Sequence, residues 1–307
     1  MRLVSYEENG RPRFGAIVGK TVLDLARASE AYVASDASIA RIPARIEQFF
    51  EDCEALSASA RKVIARFEAE TTRNEAISKP LSAVKLLPPI PRPPKIVCVA
   101  RNYAEHAKEA GLEISPIPIM FARFARTLVA DGDPVLVPSV SDQLDWEGEL
   151  AVIIGKDTKG KRITKADAMD YVFGYSIFND VTVRDYQFRI TQYTAGKNFR
   201  TSGPFGPVIV TADEIADPHN LDIRTTLNGK VEQSANTSTM IYDIPTILEN
   251  IAEFIDLEPG DVIPTGTPAG VGFKRKPPVF LKEGDTIAVE VSGIGVLSNP
   301  VHNEEKA

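Results

Sequence analysis

Two glutamates one residue apart, Glu147 and Glu149, begin an apolar run, and a third acid, Asp180, follows further along the chain. In an extended strand, residues i and i+2 point to the same face, so Glu147 and Glu149 can converge on one cation. Burying two unpaired carboxylates beside residues such as Leu150 would cost several kcal/mol each unless a counter-charge met them. We therefore predict a divalent-metal site. A solvated strand edge is the alternative, which the adjacent Trp146 weakens.

The metal that these acids would bind is a hard cation. The chain contains only three histidines, so a histidine-rich zinc site is difficult to build, whereas oxygen ligands suit Mg²⁺ or Mn²⁺. The two cysteines, Cys53 and Cys98, lack the spacing of metal ligands and are too few for a disulfide framework. We interpret them as reduced, hydrophobic side chains.

A candidate general base lies on a short predicted helix, 104–110, which Asn102 could cap and Gly111 could end. His106 and Glu109 are i and i+3 on this helix, so the carboxylate could orient the imidazole and raise its basicity. An ordinary surface helix with a charged stripe is the alternative. Because glycine and a proline-containing loop flank the helix, it could also act as a mobile lid.

Further polar residues follow Asp180. If that segment is helical, Asp180, Arg184 and Gln187 fall on one face and direct an acid, a cation and an amide to a common point. Arg184 could equally be the ion-pair partner of a nearby carboxylate. Lys197, which follows Gly196, is either a solvated loop lysine or a positive group beside a metal and an anionic substrate.

A glycine-rich segment, 259–272, could bind an anion. Three glycines near Thr267 and Pro268, namely Gly266, Gly270 and Gly272, let the backbone approach a ligand closely. Free N–H groups together with Thr267 Oγ1 could then hold an oxyanion. A tight β-turn is the structural alternative. The phosphate-binding glycine motifs of nucleotide enzymes are missing from the chain, so nucleotide binding is disfavoured.

The elements that must position these residues fall into two regions. Short β-like segments and two helical patterns predict a small N-terminal α/β domain at residues 1–79, with a hairpin turn at Gly19 and Lys20. Six prolines make 80–94 a predicted linker. In residues 95–307, short β-branched runs alternate with turn residues, which is typical of an antiparallel or mixed β roll in a mostly β, α+β protein.

The predicted strands are 2–5, 14–18, 21–25, 96–99, 134–137, 150–154, 208–210, 221–226, 262–264 and 286–291. The predicted helices are 39–50, 54–70, 104–110, 165–169 and 244–255.

Composition narrows the class of partner. The chain has 307 residues, 43% of them hydrophobic, and a formal net charge of -7 without a clustered basic face, which argues against nucleic acid or an anionic membrane. Its first residues lack the apolar core of a signal peptide, and no apolar run is long enough to cross a bilayer. We therefore expect a cytoplasmic protein that acts on a small molecule.

Taken together, the motifs resemble the fumarylacetoacetate hydrolase family from about Lys95 to Val301. The matching pieces are 102–103 with His106 and Glu109, 145–150, 174–180, 184–187, 196–197, 259–263, 265–272 and 284–285. The resemblance implies a mixed β-sandwich roll with a small N-terminal domain, a homodimer, and one Mg²⁺ or Mn²⁺ per subunit without a nucleotide or organic cofactor.

The resemblance also implies roles for individual residues. It implies metal ligation by Glu147, Glu149 and Asp180, and catalysis by Lys197 with the His106 and Glu109 dyad. Substrate contacts would come from Arg184, Gln187, Thr201 and Thr267. Many relatives carry lysine at the position of Arg123, and arginine, which forks bidentately, would hold a substrate carboxylate differently if it reaches one.

Our working hypothesis is a metal-dependent hydrolase that cleaves a carbon-carbon bond in a 2,4-dioxo acid through a metal-bound enolate, in catabolism of aromatic or sugar-derived acids. His106 with Glu109 would activate water, and Thr267 or nearby amides would hold the oxyanion. The same site could instead decarboxylate or isomerise a 2-oxo or 2-hydroxydienoate acid of the oxaloacetate or hydroxymuconate type. A catalytically silent metal-dependent binding protein is the alternative from another class.

Overall fold

A computed structural model of the chain describes residues 1–71, 74–111 and 113–305, which form nineteen strands, seven α-helices and several short 3-10 turns. The strands are β1 (Arg2–Glu8), β2 (Arg11–Val18), β3 (Thr21–Asp24), β4 (Ser78–Pro80), β5 (Lys85–Leu87), β6 (Ile96–Ala100), β7 (Ile119–Arg123), β8 (Leu128–Val129), β9 (Val135–Val137), β10 (Leu144–Asp145), β11 (Gly148–Ile154), β12 (Val172–Asn179), β13 (Thr182–Val183), β14 (Gly203–Thr211), β15 (Asp222–Leu227), β16 (Lys230–Asn236), β17 (Val262–Pro264), β18 (Thr286–Val291) and β19 (Gly295–Asn303). The helices are α1 (Leu25–Val33), α2 (Ile46–Phe50), α3 (Cys53–Ala69), α4 (Ala104–Ala110), α5 (Arg184–Gln187), α6 (Thr194–Lys197) and α7 (Ile244–Ala252).

Most of these strands join one large sheet, in the order β4-β3-β2-β1-β14-β12-β11-β17-β6-β7, with β5 paired to β1 and β8 paired to β14. Strand β11 lies near its middle and is buried at every residue, which explains its almost continuous apolar sequence. A second sheet has the order β16-β15-β18-β19-β9. The predicted mostly β, α+β fold is confirmed.

The two sheets pack tightly against each other at Gly148, the first residue of β11. A Cβ atom there would clash with Thr225 Oγ1 of β15 and lie 2.9 Å from Val289 Cγ1 of β18. Only glycine therefore allows β11 to enter the sheet at this point. The close packing sets the position of the residues on either side of Gly148.

The N-terminal strands extend the large sheet. Strand β1 pairs antiparallel with β14, with Leu3 opposite Ile209, and the predicted hairpin at Gly19 joins β2 to β3. In the predicted linker, strand β5 pairs with β1. The boundaries 1–79, 80–94 and 95–307 stay predictions. None of the helices in the described part of the chain is both long and apolar enough to cross a lipid bilayer.

Several helix predictions need correction. The helix predicted at 39–50 begins only at Ile46, because Pro43 disfavours helical backbone at the residue before it. Helix α1 was not predicted; Asp24 caps it, since its Oδ1 accepts a 2.9 Å hydrogen bond from the Arg27 amide. The segment 165–169 contributes only part of a 3-10 turn, and α7 ends at Ala252 rather than at residue 255.

The segment from Asp180 to Gln187 is not one continuous helix, which was the condition for placing Asp180, Arg184 and Gln187 on one helical face. Strand β12, which the sequence analysis missed, ends at Asn179, and the chain stays extended through β13 before the single turn of α5 begins at Arg184. Asp180 therefore reaches its position from the end of a strand, while Arg184 and Gln187 share a helical turn.

A buried acid at the start of β17 predicts a pH-dependent stability. Burial raises the pKa of Asp261 from 3.8 to about 6, although Lys95 Nζ lies 3.1 Å from its Oδ2. Because the folded pKa exceeds the unfolded one, this stabilising contribution is full below pH 3.8 and is lost as pH rises through about 6. A two-unit shift corresponds to about 3 kcal/mol.

We expect urea unfolding between pH 4 and pH 7.5 to show a weaker pH dependence of the unfolding free energy in D261N than in the wild type. The exposed Asp142 supplies the control, since D142N should give a curve parallel to the wild type. Parallel curves for D261N and the wild type would contradict the assignment.

Candidate active site

Three buried carboxylates meet where β11 and β12 pair. Gly148 lies opposite Asn179 in this antiparallel ladder, so the residues just outside it, Glu147 and Asp180, become neighbours, and the Asp180 amide donates a 2.8 Å hydrogen bond to the Glu147 carbonyl. Glu149 projects from β11 itself. One carboxylate oxygen from each of the three acids lies within 4.8 Å of the others.

The charges in this cluster are unevenly compensated. Burial and the nearby Asp180 and Glu147 raise the pKa of Glu149 well above its ordinary value, and its hydrogen bond from the Gly266 amide, 2.8 Å long, does not offset this. For Glu147, burial acts in the same direction, but Lys197 and Arg184 outweigh it and lower the pKa to about 2. The site is therefore short of positive charge at Glu149.

Lys197 occupies the space between two of the acids. Its Nζ lies 2.8 Å from Glu147 Oε2 and also donates to Asp180 Oδ2. Burial acts to lower the pKa of Lys197, but these carboxylates raise it, so the group is an ammonium ion. The oxygens of Glu147 and Asp180 thus already hold one positive group, and Glu149 lacks one. The three carboxylates therefore form a set of oxygen donors that fits a divalent ion of the Mg²⁺ or Mn²⁺ type.

Arg184 is held rigidly at the edge of the cluster. Its Nε donates to Asp145 Oδ2 at 2.8 Å, its Nη1 lies 2.6 Å from Glu147 Oε1 and donates to Gln187 Oε1 at 2.9 Å. The guanidinium also stacks on Phe273, 4.2 Å from the ring centre. The ion-pair alternative for Arg184 is therefore correct, and it does not remove the residue from the site.

Asp145 organises this edge, although the sequence analysis gave it no role. Its carboxylate accepts hydrogen bonds from the backbone amides of Trp146, Gly272 and Phe273 as well as from Arg184. The position of Asp145 directly before Trp146, in the same acidic motif as Glu147, could have indicated that it belongs to the site. Asp145 therefore links the glycine-rich loop to the segment between β10 and β11 that carries Glu147.

The predicted general-base dyad of His106 and Glu109 lies on α4, as expected. His106 Nδ1 is 3.6 Å from Glu109 Oε2, longer than a hydrogen bond, and Nδ1 is buried without a hydrogen-bond partner among the described residues. Burial acts to raise the pKa of Glu109, but His106 and the Gly270 amide lower it overall. Glu109 is thus a carboxylate beside an imidazole, the arrangement of an oriented base.

Asn102 does not cap this helix as predicted. Its Nδ2 instead donates to the carbonyls of Tyr242 and Thr265, at 2.9 and 2.8 Å, and Tyr103 takes the N-cap position without a side-chain hydrogen bond. Gly111 ends α4 in the left-handed conformation, with φ of 68°, as the sequence predicts. Asn102 therefore fixes α4 to the strand end at Thr265, next to the site.

Three hydrogen-bond donors of the glycine-rich loop are already engaged within the protein. Thr267 Oγ1 donates to the Gly148 carbonyl at 2.9 Å, and the amide of Gly266 donates to Glu149. The amide of Gly270 donates to Glu109, 3.1 Å away. Each of these three protons already has an acceptor, so they do not support the oxyanion role, which stays a prediction for Thr267 and the loop amides.

A cavity of about 330 Å³ opens onto the cluster. The predicted site residues in its wall are His106, Glu147, Glu149, Arg184, Gln187, Lys197 and Thr267. Arg101 and Tyr193 also line it, and the sequence analysis singled out neither. The position of Arg101 directly before the Asn102-Tyr103 motif could have indicated it.

Two predicted substrate residues do not reach the cavity wall. Arg123 is buried behind the site, where it contacts Asp180 and donates to Ser202 Oγ at 2.6 Å. Thr201 Oγ1 accepts a 2.8 Å hydrogen bond from the Leu136 amide, and Thr201 does not line the cavity. A direct substrate contact by either residue is therefore not supported by its position.

The chain matches the fumarylacetoacetate (FAA) hydrolase C-terminal family over residues 95–302. It is 40% identical to oxaloacetate tautomerase fahd2, mitochondrial, of Xenopus laevis, over 98% of this chain and 90% of that one. It is 47% identical to oxaloacetate tautomerase YisK of Bacillus subtilis strain 168, over 72% and 74%. Maleylpyruvate hydrolase of Sphingobium sp. SYK-6, solved with manganese(II) and pyruvate, superposes with a TM-score of 0.76 at 29% identity, over 99% and 100%.

The fold and the acidic site define an enzyme of a superfamily whose members act on small organic acids. The chain belongs to the fumarylacetoacetate hydrolase family. The two more similar relatives are named tautomerases, whereas the hydrolase is the more distant one. The hydrolase hypothesis is therefore supported only at the level of the superfamily. The predicted homodimer, cytoplasmic location and choice of ion stay predictions.

Replacing Glu149 with glutamine should separate charge repulsion from metal binding. We expect metal-free E149Q to melt at a higher temperature than the metal-free wild type, because the neutral amide avoids the penalty that burial and the neighbouring acids impose on a carboxyl group there. We also expect Mn²⁺ to bind at least about 10- to 100-fold more weakly and to raise the melting temperature less. Calorimetric titration and thermal melts measure both effects.

The control for this experiment is E105Q, which removes an exposed carboxylate from α4. It should match the wild type in both measurements. Unchanged Mn²⁺ affinity in E149Q would contradict metal ligation by Glu149.

Proposed function

We propose that the protein is a Mg²⁺- or Mn²⁺-dependent tautomerase that interconverts the keto and enol forms of a 2-oxo acid of the oxaloacetate type. The reaction moves one proton from carbon 3 to the 2-oxo oxygen and breaks no carbon-carbon bond. The names of the two more similar relatives support this activity over hydrolysis. Glu147, Glu149 and Asp180 would hold the ion.

The observation that carries the proposal is that three hydrogen-bond donors of the glycine-rich loop are already engaged within the protein. Hydrolysis of a 2,4-dioxo acid builds a tetrahedral oxyanion at carbon 4, which needs hydrogen-bond donors that are free to meet it. The hydroxyl of Thr267 and the amides of Gly266 and Gly270 already donate to buried acceptors. Tautomerisation forms no such oxyanion and needs only a base that can take and return one proton.

The chain's own groups supply that proton transfer. A divalent ion, when bound, supplies a Lewis acid that orients a chelating 2-oxo acid and stabilises negative charge at its 2-oxo oxygen. His106 lines the cavity, and because its Nδ1 faces Glu109, the other ring nitrogen is left to exchange a proton with carbon 3. Glu109 stabilises the imidazolium that forms when His106 accepts the proton.

The cations in the wall offset the charge that develops in the substrate. Lys197 and Arg184 each contact Glu147, so both are fixed before substrate arrives and lose little freedom when the reaction begins. The proposed site is therefore preorganised for an enolate-like transition state.

An assay of three reactions tests the function directly. With Mg²⁺ or Mn²⁺, we expect the wild type to accelerate keto-enol exchange of oxaloacetate, followed by ultraviolet absorbance and by deuterium exchange at carbon 3. We expect little release of carbon dioxide from oxaloacetate and little cleavage of acetylpyruvate. Rapid acetylpyruvate cleavage with slow exchange would instead support the hydrolase hypothesis, and carbon dioxide release the decarboxylase.

Substitution of the proposed base should isolate the proton transfer. In H106Q we expect kcat for exchange to fall about 100- to 10,000-fold, the usual contribution of a general base. Mn²⁺ affinity should be unchanged, because His106 is not among the three clustered acids. E105Q, on the same helix but exposed, is the matched control and should retain the wild-type rate. A wild-type rate in H106Q would remove it from the mechanism.

A further inference from the structure

Arg101 differs from the other strong cations in the cavity wall. Arg184 and Lys197 each lie within 3 Å of a carboxylate of the acidic cluster. Among the described residues, no carboxylate forms an ion pair with Arg101, which is only partly buried. A guanidinium in a cavity without an anionic partner keeps its charge and several N–H donors available for a carboxylate.

The backbone holds Arg101 in an unusual conformation. Strand β6 ends at Ala100, and Arg101 then adopts a φ of 58°, in the left-handed region that non-glycine residues avoid. The buried hydrogen bonds of the next residue, Asn102, keep the chain in this turn. Such backbone strain is common at binding sites, where the surrounding structure imposes it.

Tyr193 fixes the arginine from the opposite wall. Arg101 Nη2 donates a 2.8 Å hydrogen bond to the Tyr193 hydroxyl, and the Tyr193 ring packs edge-on against Phe121 at 5.6 Å between ring centres. The Tyr193 carbonyl accepts a 3.1 Å hydrogen bond from the amide of Lys197, the last residue of α6. Arg101 and the catalytic lysine are thus connected through one residue.

We propose that Arg101, positioned by Tyr193, binds the second carboxylate of a dicarboxylic 2-oxo acid and makes the enzyme prefer dicarboxylic over monocarboxylic substrates. This inference rests on the proposed function, which places the first carboxylate and the 2-oxo group at the acidic cluster. Arg123, the other arginine that the sequence suggested for a substrate carboxylate, is engaged by Asp180 and Ser202 behind the cavity.

Oxaloacetate and pyruvate test the proposal, because the two acids differ by the second carboxylate alone. Exchange at carbon 3 is measured for both in the Mn²⁺-loaded wild type, R101Q, R101K and Y193F. We expect R101Q to raise KM for oxaloacetate about 10- to 100-fold with little change in kcat, as loss of charge-assisted hydrogen bonds predicts. KM for pyruvate should stay within about twofold of the wild type.

The conservative variants and a control sharpen the test. R101K keeps the charge but loses the fork, so its KM for oxaloacetate should lie between those of the wild type and R101Q. Y193F should raise this KM several-fold. R189Q removes an exposed arginine that lies four residues before Tyr193, and this variant should behave as the wild type. An R189Q effect equal to that of R101Q, or equal losses for both acids in R101Q, would overturn the proposal.

A binding measurement separates this inference from the proposed function. If the wild type exchanges neither acid, the tautomerase function fails, and calorimetric titration of both acids into the Mn²⁺-loaded protein still examines Arg101. A wild-type preference for oxaloacetate over pyruvate that disappears in R101Q supports the carboxylate-binding role. No preference in the wild type, or the same preference in R101Q, overturns it.

Discussion

Electrostatic repulsion among three buried carboxylates is the constraint on which the rest of the structure depends. The pairing of β11 with β12 forces Glu147, Glu149 and Asp180 together, where water cannot screen them. Arg184 and Lys197 neutralise Glu147, whereas Glu149 forms no ion pair among the described residues and has a raised pKa, so its carboxylate form needs a further cation. The fold thus creates affinity for a metal by bringing like charges together more completely than its side chains can neutralise.

The parts of the site that depend on local spacing could be predicted from the sequence. Glu147 and Glu149 share a face by strand geometry, and α4 carries His106 between recognisable ends. The position of Asp180 could not be derived in this way, because Gly174, Ser176 and Asn179 hide strand β12 among polar and small residues. Its place was implied only by resemblance to a family, and the ladder between distant strands supplies the physical reason.

Competition among hydrogen-bond partners was the other limit of prediction. A sequence shows that Thr267 can donate a proton but not that the Gly148 carbonyl receives it. The same holds for Arg123, whose partners come from two later segments of the chain. Family resemblance grouped Glu147, Glu149 and Asp180, which the structure brings together; their ligation of a metal stays a prediction. The resemblance located the reaction less well, because that depends on which donors remain available.

The pairing of β1 with β14 has a consequence for how the chain is made. Leu3 meets Ile209, so the first strands leave the ribosome long before their partner exists. Contacts so distant in sequence slow folding, and β1, although paired with β2, must wait with an open edge at Arg2 and Leu3. A chain stalled or cleaved before residue 209 would expose apolar strand surface, which makes such fragments prone to aggregation and dependent on chaperones.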